Sequence, residues 1–471
     1  MAAFEVEEIV RATQGILVTG GGSHSRFRRI QTDSRQVTKG ELFVALQGEQ
    51  FDGHRFVAKA CQAGAAGAIV AESQAWEVLR RIRKTGSAGT SFTLVAVKDT
   101  LHAYQALGAF HRERFSIPVV AITGSNGKTT TKEMVSRVLA TNWRVLKTQG
   151  NFNNAIGVPK TLLGLHRGHQ AAVVEMGVDQ VGQTTRLCEI VKPTAGVITN
   201  VGPDHLEFYG TLARSAVSKQ ELLPCLPRAG MAILNADDRY FRQFSRKAPC
   251  RVVSFGFSKQ ADIRGSHVTW DGRNTTFFVS FPNVKKPRRA VVRTMGHHNI
   301  SNALAGAATG WAFGVSLSKI LEGLANFRPA PMRSEIRRWG GVVYLWDCYN
   351  ANPASVKAAL DVLVSLDPNR RTIAVLGDML ELGPQESQFH EDIGRYAGKK
   401  GVSHLVACGQ FGGEMRRGAE KASRKIHVTQ AKDAREAGQV VQSLVKRGDI
   451  VLVKASRGAR MERVLEVIKG G

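Results

Sequence analysis

Residues 117–141 read IPVVAITGSNGKTTTKEMVSRVLAT. The apolar run 117–122 has the length and β-branched content of a buried strand. It stops at Thr123-Gly124-Ser125-Asn126-Gly127, and Lys128, Thr129 and Thr130 follow. Beyond them Met134, Val135, Val138 and Leu139 recur at helical spacing. A strand, a glycine turn and a helix start aim backbone N–H groups and the helix dipole at one point, which is an anion cradle. Gly124 and Gly127 allow close approach to a phosphate, Lys128 has the reach for β- and γ-phosphates, and the Thr129 hydroxyl can hold Mg²⁺. The general phosphate-loop pattern wants an earlier glycine near Ile122, so this loop, Gly-Ser-Asn-Gly-Lys-Thr-Thr, is a short one. The alternative, a glycine turn before an ordinary helix, is outweighed by the presence of both the strand before the loop and the helix after it. The stretch implies a site for ATP or a similar nucleotide.

Working outward, 471 residues exceed what one core holds and suggest about three domains. A composition of 43% hydrophobic and 22% charged residues describes a soluble globular chain. The start, MAAFEVEEIVRATQG, is acidic where a secretory signal is basic, and no stretch of spanning length lacks polar residues. The six cysteines, at 61, 188, 225, 250, 348 and 408, form no CxxC pair, so neither a zinc site nor a disulfide framework is indicated. The cytoplasm is the expected compartment. The formal net charge of +26 could draw nucleic acid, an anionic membrane or anionic substrates. The basic residues are dispersed, however, with clusters only at Lys285-Lys286-Pro287-Arg288-Arg289 and at Arg26, Arg28 and Arg29. No aromatic platform or recognition helix accompanies them, so the charge reads as solvated surface, with no nucleic acid and no membrane insertion expected.

Strand patterns at 41–46, 68–70 and 94–97, with a helix at 56–63, make 1–98 an αβ domain. A helix over 100–115 leads into the phosphate-loop strand. Strands at 144–147, 171–176, 195–199, 231–234 and 252–255 alternate with helices, which predicts a mostly parallel sheet covered on both faces. Pro329 and Pro331 punctuate the chain, and strands at 342–346, 373–376, 405–408 and 450–453 then begin a second doubly wound series. The expected division is 1–98, 99–328 and 329–471.

In such sheets working residues sit past the carboxyl ends of strands. Glu175 closes 171–174, and His205 and Glu207 follow the strand at 196–199 in Asn200-Val201-Gly202-Pro203-Asp204-His205. Together a carboxylate and an imidazole could hold a second Mg²⁺, although separately a capping acid and a loop hydrogen-bonder are the simpler readings. Lys219 sits in a helix pattern, where surface solvation is the ordinary reading. Asp347 opens Asp347-Cys348-Tyr349-Asn350-Ala351-Asn352-Pro353, a turn with capping chemistry before a helix. His297-His298-Asn299 and Asn302 open the helix through 303–308, where amides serve either to read a purine edge or to cap.

Taken in order, these pieces resemble the Mur ligase family along essentially the whole chain. Within it they are most similar to the branch that joins D-Ala-D-Ala to a UDP-N-acetylmuramoyl-tripeptide. The matching pieces begin with Thr32-Asp33-Ser34-Arg35, 40–46, and Gly48 through Asp52-Gly53-His54. They continue with the short phosphate loop, Gly150-Asn151-Phe152-Asn153-Asn154 with Gly157-Val158-Pro159, Glu175-Met176-Gly177, 200–205 and Lys219. The series ends with 296–302, Arg333, 347–353, 377–383 and Lys454-Ala455-Ser456-Arg457. The resemblance implies three α/β domains: a small N-terminal UDP-binding domain, a central phosphate-loop ATPase-like parallel sheet, and a C-terminal Rossmann-like domain. It implies a monomer, ATP and two Mg²⁺ ions. Lys128 would stabilise the γ-phosphate within Gly124, Ser125, Asn126, Gly127, Thr129 and Thr130. Thr129 would bind one Mg²⁺; Glu175, His205 and Lys219, the last as a carbamate, would bind the other. Asn299, Asn302, Arg333 and Asp347 would contact adenosine and phosphates. Ser34 and Arg35 would contact the uridine nucleotide, Asn151, Asn153 and Asn154 would bind substrate, and Tyr349, Asn350 and Asn352 would bind substrate at the junction where the third domain closes over ATP. Lys160, Cys348 and Ala455 depart from the family pattern, none at an expected ligand. Ligases with another acceptor, such as the tripeptide-forming ligase or a folylpolyglutamate synthase, stay open beside this reading. Asp-Asn-Pro-Arg, which marks the diaminopimelate-adding ligase, is absent. Outside the class, the alternatives are a basic ATPase acting on nucleic acid and a dead scaffold, the latter disfavoured by the retention of Lys128, Glu175, His205 and Lys219.

Overall fold

The computed structural model describes residues 3–20, 26–48, 51–84 and 92–469. The expected motif running from Gly48 to His54 therefore has residues 49 and 50, and the acidic start has residues 1 and 2, outside the described residues. The chain divides into two compact units, Met1–Ala121 with Trp143–Gly177 and Thr185–Thr194, and Ile122–Asn142 with Val178–Thr184 and Ala195–Gly471.

The first unit opens with β1 (Phe4–Glu5), β2 (Ile16–Thr19), β3 (Arg26–Phe27), β4 (Ile30–Gln31), β5 (Leu42–Val44), β6 (Gly67–Ala71) and β7 (Thr93–Val97). Five of them form a sheet of order β2-β7-β6-β5-β4, parallel except at β2, while β1 pairs antiparallel with β3. Side chains alternate across a strand, so each strand feeds two cores. Phe43, Ala68, Val70, Leu94 and Ala96 meet the helices Val57–Gln62 and Ala75–Lys84. Leu42, Val44, Ile69, Val95 and Val97 meet Val6–Thr13 and Thr100–Glu113.

The central strands are β8 (Val119–Thr123), β9 (Val145–Lys147), β10 (Ala171–Glu175), β11 (Ala195–Ile198), β12 (Met231–Asn235), β13 (Arg251–Gly256), β14 (Ile263–Trp270), β15 (Thr275–Ser280) and β16 (Arg288–Val292). Their sheet order is β16-β15-β14-β13-β12-β11-β8-β10-β9. From β11 to β13 the pairing is parallel, as expected; β14 joins β13 in parallel, and β14, β15 and β16 form an antiparallel edge that the sequence reading did not contain. The basic cluster at 285–289 runs into this edge. Helix Lys128–Leu139 lies under helix His297–Ala312, and a Cβ on Gly310 would come 2.4 Å from Val138 Cγ1. The Ala- and Gly-rich composition of 303–310 is what permits that approach.

The last strands, β17 (Glu335–Trp339), β18 (Val342–Trp346), β19 (Thr372–Leu376), β20 (His404–Cys408), β21 (His427–Ala431) and β22 (Ile450–Lys454), take the order β17-β18-β22-β19-β20-β21. All pair parallel except β17, an antiparallel edge that was not anticipated. Tyr344, Trp346, Ile373, Val375, Val406, Val451 and Val453 bury against one core. Leu345, Ala374, Leu376, Leu405 and Leu452 bury against the other. A sheet covered on both faces reads as the near-continuous apolar strands seen here. Among the described residues no helix is long and apolar enough to cross a membrane.

Candidate functional site

The phosphate loop forms where the sequence places it. β8 ends at Thr123, Gly127 is the N-cap of the helix Lys128–Leu139, and the glycines adopt φ of +137° (Gly124) and +79° (Gly127). A side chain is excluded at both. A Cβ on Gly124 would lie 2.1 Å from Thr199 Oγ1, and one on Gly127 2.4 Å from Asn302 Oδ1. Lys128 Nζ donates to the carbonyls of Gly124 (2.7 Å) and Ser125 (3.3 Å). Thr129 is buried on the first turn, with Thr130 half-buried beside it.

The loop after β11 clamps the phosphate loop. Ser125 N donates to Asn200 O (2.9 Å), and Asn126 N to Asn200 Oδ1 (3.0 Å). Asn126 O accepts from Thr199 Oγ1 (2.6 Å) and Asn200 Nδ2 (3.1 Å). Ser125 Oγ donates to Asp204 Oδ1 (2.7 Å) and accepts from Gly202 N (2.8 Å). The clamp is itself tied to β12 through Asn235 Nδ2, which donates to Thr199 O (2.9 Å).

Asp204 is the member that sequence reasoning passed over in favour of its neighbour His205. It is 5% exposed and accepts a second hydroxyl, Ser215 Oγ (2.9 Å), while its Oδ2 pairs with Lys219 Nζ at 3.2 Å. Lys219, 1% exposed on the helix Leu212–Gln220, also donates to Tyr209 OH (3.1 Å) and lies 4.2 Å from that ring's centroid. So Lys219 is a buried cation, not the solvated lysine its helix pattern suggests. Burial pushes its pKa down to about 8 against the opposing pull of Asp204, with Lys128 adding repulsion. Burial would raise the Asp204 carboxyl, but the charges of Lys219 and Lys128 and the Ser125 hydroxyl outweigh it and hold the group below its usual range. The only signal in the sequence was an Asp inside the strand-end loop at 200–205.

His205 takes a left-handed conformation (φ +48°), and its Nδ1 sits 2.5 Å from Glu381 Oε2 in the loop after β19. Glu175 is 1% exposed at the end of β10; its Oε1 accepts from Asn153 Nδ2 (2.8 Å) and its N–H donates to Thr148 Oγ1 (3.0 Å). Asn153 O accepts from Gly177 N (2.8 Å), and Asn154 Oδ1 accepts from Gly157 N (2.9 Å) at the start of the helix Gly157–Leu162. Asn151 is exposed, its carbonyl 2.7 Å from Asn153 N. Among the described residues no three His, Cys, Asp or Glu side chains gather as a metal cluster.

Asn299 and Asn302 are buried and joined: Asn302 Nδ2 donates to Asn299 Oδ1 (3.2 Å), and Asn302 Oδ1 accepts from Thr131 Oγ1 (3.1 Å). From Asn299 a polar chain continues through Ser334 Oγ (3.3 Å) and Ser334 N to Asp347 Oδ1 (2.9 Å), and then from Asp347 Oδ2 to Lys454 Nζ (2.7 Å). Lys454 also donates to Asn350 O (3.0 Å), and Arg333 stacks 4.0 Å over the Tyr349 ring. Asn352 caps the helix Pro353–Ser365 and reaches Asn126. Ser34 lies in a turn whose Arg35 forks onto Asp33 (2.9 Å through both Nε and Nη2); that hydrogen bonding lowers the Asp33 pKa to about 2.

With this geometry in place, comparison with known proteins gives a consistent result. Family models match over three stretches: Mur ligase family, catalytic domain, at 26–111; Mur ligase middle domain at 122–310; and Mur ligase, glutamate ligase domain, at 332–457. Similar relatives include the UDP-N-acetylmuramoyl-tripeptide–D-alanyl-D-alanine ligases of Bacillus subtilis, 32% identical over 98% of this chain and 97% of that protein, and of Escherichia coli, 34% over 93% of each. Among solved structures, MurF from Acinetobacter baumannii superposes with a TM-score of 0.90 at 31% identity, each chain fully covered. MurF ligase from Thermotoga maritima in complex with ADP gives 0.82 at 28%, covering 94% of this chain and 97% of that one.

Proposed function

The chain belongs to the Mur ligase family, and from that premise we propose that it joins D-Ala-D-Ala to a UDP-N-acetylmuramoyl-tripeptide with consumption of ATP, completing the pentapeptide precursor of peptidoglycan. The observation that carries the reading is the end-to-end likeness to relatives whose names all state this one reaction. The glycine loop by itself would support only a nucleotide site.

In the reaction the tripeptide's terminal carboxylate attacks the γ-phosphorus of ATP, releasing ADP and leaving an acyl phosphate. The amine of D-Ala-D-Ala then attacks the acyl carbon, a tetrahedral intermediate forms, and inorganic phosphate departs as the amide closes. Two anions must meet, so positive charge and fixed donors are the main requirement. Lys128, Gly124, Ser125, Asn126, Gly127, Thr129 and Thr130 supply them around the β- and γ-phosphates. Asn299, Asn302, Arg333 and Asp347 bound the nucleoside side, an assignment supported by the polar chain that joins Asn299 to Asp347. Ser34 and Arg35 serve the uridine diphosphate end, Asn151, Asn153 and Asn154 the peptide path, and Tyr349, Asn350 and Asn352 the junction at which the third domain closes over ATP and substrate.

The oxygen donors fit Mg²⁺: a hydroxyl at Thr129 and a buried carboxylate at Glu175 are the hard ligands it takes. Bound there, the ion would neutralise phosphate charge. Thr129 and Thr130 would hold one ion; Glu175 and His205, with a carbamate on Lys219, would hold the second. The buried amine supports the carbamate. With a pKa of about 8, roughly a quarter of it is neutral at pH 7.5, against about one part in a thousand for an ordinary lysine, and only the neutral amine adds CO₂. The addition would exchange a cation beside Asp204 for an anion, an inversion that a bound divalent ion would offset. A monomer working in the cytoplasm, divided at 1–98, 99–328 and 329–471, completes the reading; the three family matches support the number and order of the domains, while the first of them runs on past 98 to 111.

The test is phosphate release from ATP and Mg²⁺ with lysine- or diaminopimelate-containing UDP-N-acetylmuramoyl-tripeptide, with and without D-Ala-D-Ala. Release that needs both substrates, with formation of the UDP-linked pentapeptide, is the expected result. Absence of dipeptide-dependent release with either tripeptide moves the acceptor to another member of the family.

A further inference from the structure

We infer that Asn352 is a positioning residue for phosphoryl transfer, holding the phosphate loop in shape through the side chain of Asn126. The inference rests on the ligase reading above and gives one residue of the expected junction over ATP a specific task.

Asn352 is committed at one end. Its Oδ1 accepts from Ser355 N (2.9 Å), while Ser355 Oγ accepts from Asn352 N (3.0 Å): the reciprocal box that starts the helix Pro353–Ser365. An amide whose oxygen is fixed on a backbone N–H must present its NH₂ on the other side. That group donates to Asn126 Oδ1 at 2.8 Å, between residues 226 apart in the chain. The orientation of Asn126 is thereby fixed too, oxygen toward Asn352.

Asn126 is the centre of the phosphate loop, and its backbone N–H and carbonyl are already held from the loop after β11. Its N–H goes to Asn200, and its carbonyl receives Thr199 and Asn200. Asn352 adds a hydrogen bond from the C-terminal stretch. Gly202 lies beside this junction: a Cβ there would be 3.5 Å from Asn126 Nδ2 and 4.0 Å from Ala354 Cβ, ordinary contact on both sides. Lys128, two residues after Asn126, must meet the transferring phosphate, and small misplacement of such a group is costly in rate. The helix cap therefore lends its rigidity to the loop.

The experiment uses four full-length proteins: wild type, Asn352→Ser, Asn126→Ala and the double variant. Serine caps helices about as well as asparagine, so Asn352→Ser keeps the helix start but does not reach Asn126. Asn126→Ala leaves the cap untouched. Phosphate release is measured with saturating tripeptide and D-Ala-D-Ala, and ATP affinity by direct titration. Each single variant is expected to lower kcat roughly tenfold, with KM for tripeptide and dipeptide within about twofold of wild type. The double variant is expected to fall no further than the worse single. Multiplying losses, or an Asn352→Ser enzyme with wild-type kcat and ATP affinity, would overturn the inference. A wild-type protein that releases no phosphate in response to the dipeptide would defeat the ligase reading instead. ATP titration of the same four proteins then decides alone, with non-multiplying losses of affinity supporting the Asn126–Asn352 contact and multiplying or absent losses refuting it.

Discussion

Replacing Asp204 by asparagine removes the negative partner of a fully buried lysine while keeping the side chain's shape and its acceptor for Ser125 and Ser215. Orphaning a buried charge ordinarily costs about 3–5 kcal/mol. Lys219 has a cheaper exit. Its pKa of about 8 already lies below the ordinary 10.5, so at pH 7.5 shedding the proton altogether costs only about 1 kcal/mol more. That figure is the ceiling on what the lost partner can do through the lysine. In a cooperative unit of 150–250 residues it corresponds to a fall of about 2–4 °C in Tm. The pH course follows from the same numbers. Between about pH 8 and 10.5 the folded wild type binds fewer protons at Lys219 than the unfolded chain does, so the stability cost carried by this group is full below 8 and relieved as pH rises. The substitution should therefore hurt at pH 7 and cease to hurt by pH 9, where the wild-type amine is neutral as well. Thermal melts of wild type and Asp204→Asn at pH 7, 8 and 9 are the assay. A loss above about 10 °C that persists at pH 9 would refute the reasoning, because it would mean that the ammonium cannot discharge.

Lys128→Met should lower kcat for phosphate release by roughly 100-fold or more, the scale of removing one charged donor from a transition state, while the melting temperature stays near wild type. Gly127→Ala must place a Cβ 2.4 Å from Asn302 Oδ1 at φ +79°, and the left-handed backbone alone costs about 1–2 kcal/mol; ATP titration should show at least a five- to thirtyfold weaker Kd. Lys219→Ala should be nearly inactive, and wild-type activity should depend on bicarbonate after CO₂ is removed. A fully active, bicarbonate-independent Lys219→Ala protein would exclude the carbamate.

The phosphate loop was legible because every device that makes it is local: an apolar strand, two glycines where side chains cannot fit, and a helix that starts on lysine. The doubly wound C-terminal series was legible for a similar reason, since a strand buried on both faces reads as a plain apolar run. The antiparallel edges were not. Glu335–Trp339 carries two arginines in five residues, and β14 to β16 mix charge with threonine, so neither gives a buried-strand pattern; edge strands keep polar faces. Around the site, the sequence drew attention to Lys219 and His205 through resemblance but passed over Asp204, one residue from His205. What distinguishes Asp204 is burial against Lys219, and pairing across fifteen residues and a helix leaves no periodicity to read. The bond between Asn126 and Asn352 lies still further beyond reach, although the capping chemistry at Asn352 was visible.

Lys128 offers a last consequence. Its ammonium is held by the carbonyls of Gly124 and Ser125, so an arriving anion competes with two hydrogen bonds to a charged donor, each worth about 1.5–3 kcal/mol net. A lone phosphate or sulfate offers the loop less in exchange. A polyphosphate that engages several backbone N–H groups together offers enough to draw the lysine across. The loop thus weighs a ligand by the number of simultaneous contacts it brings, which favours a triphosphate over inorganic phosphate.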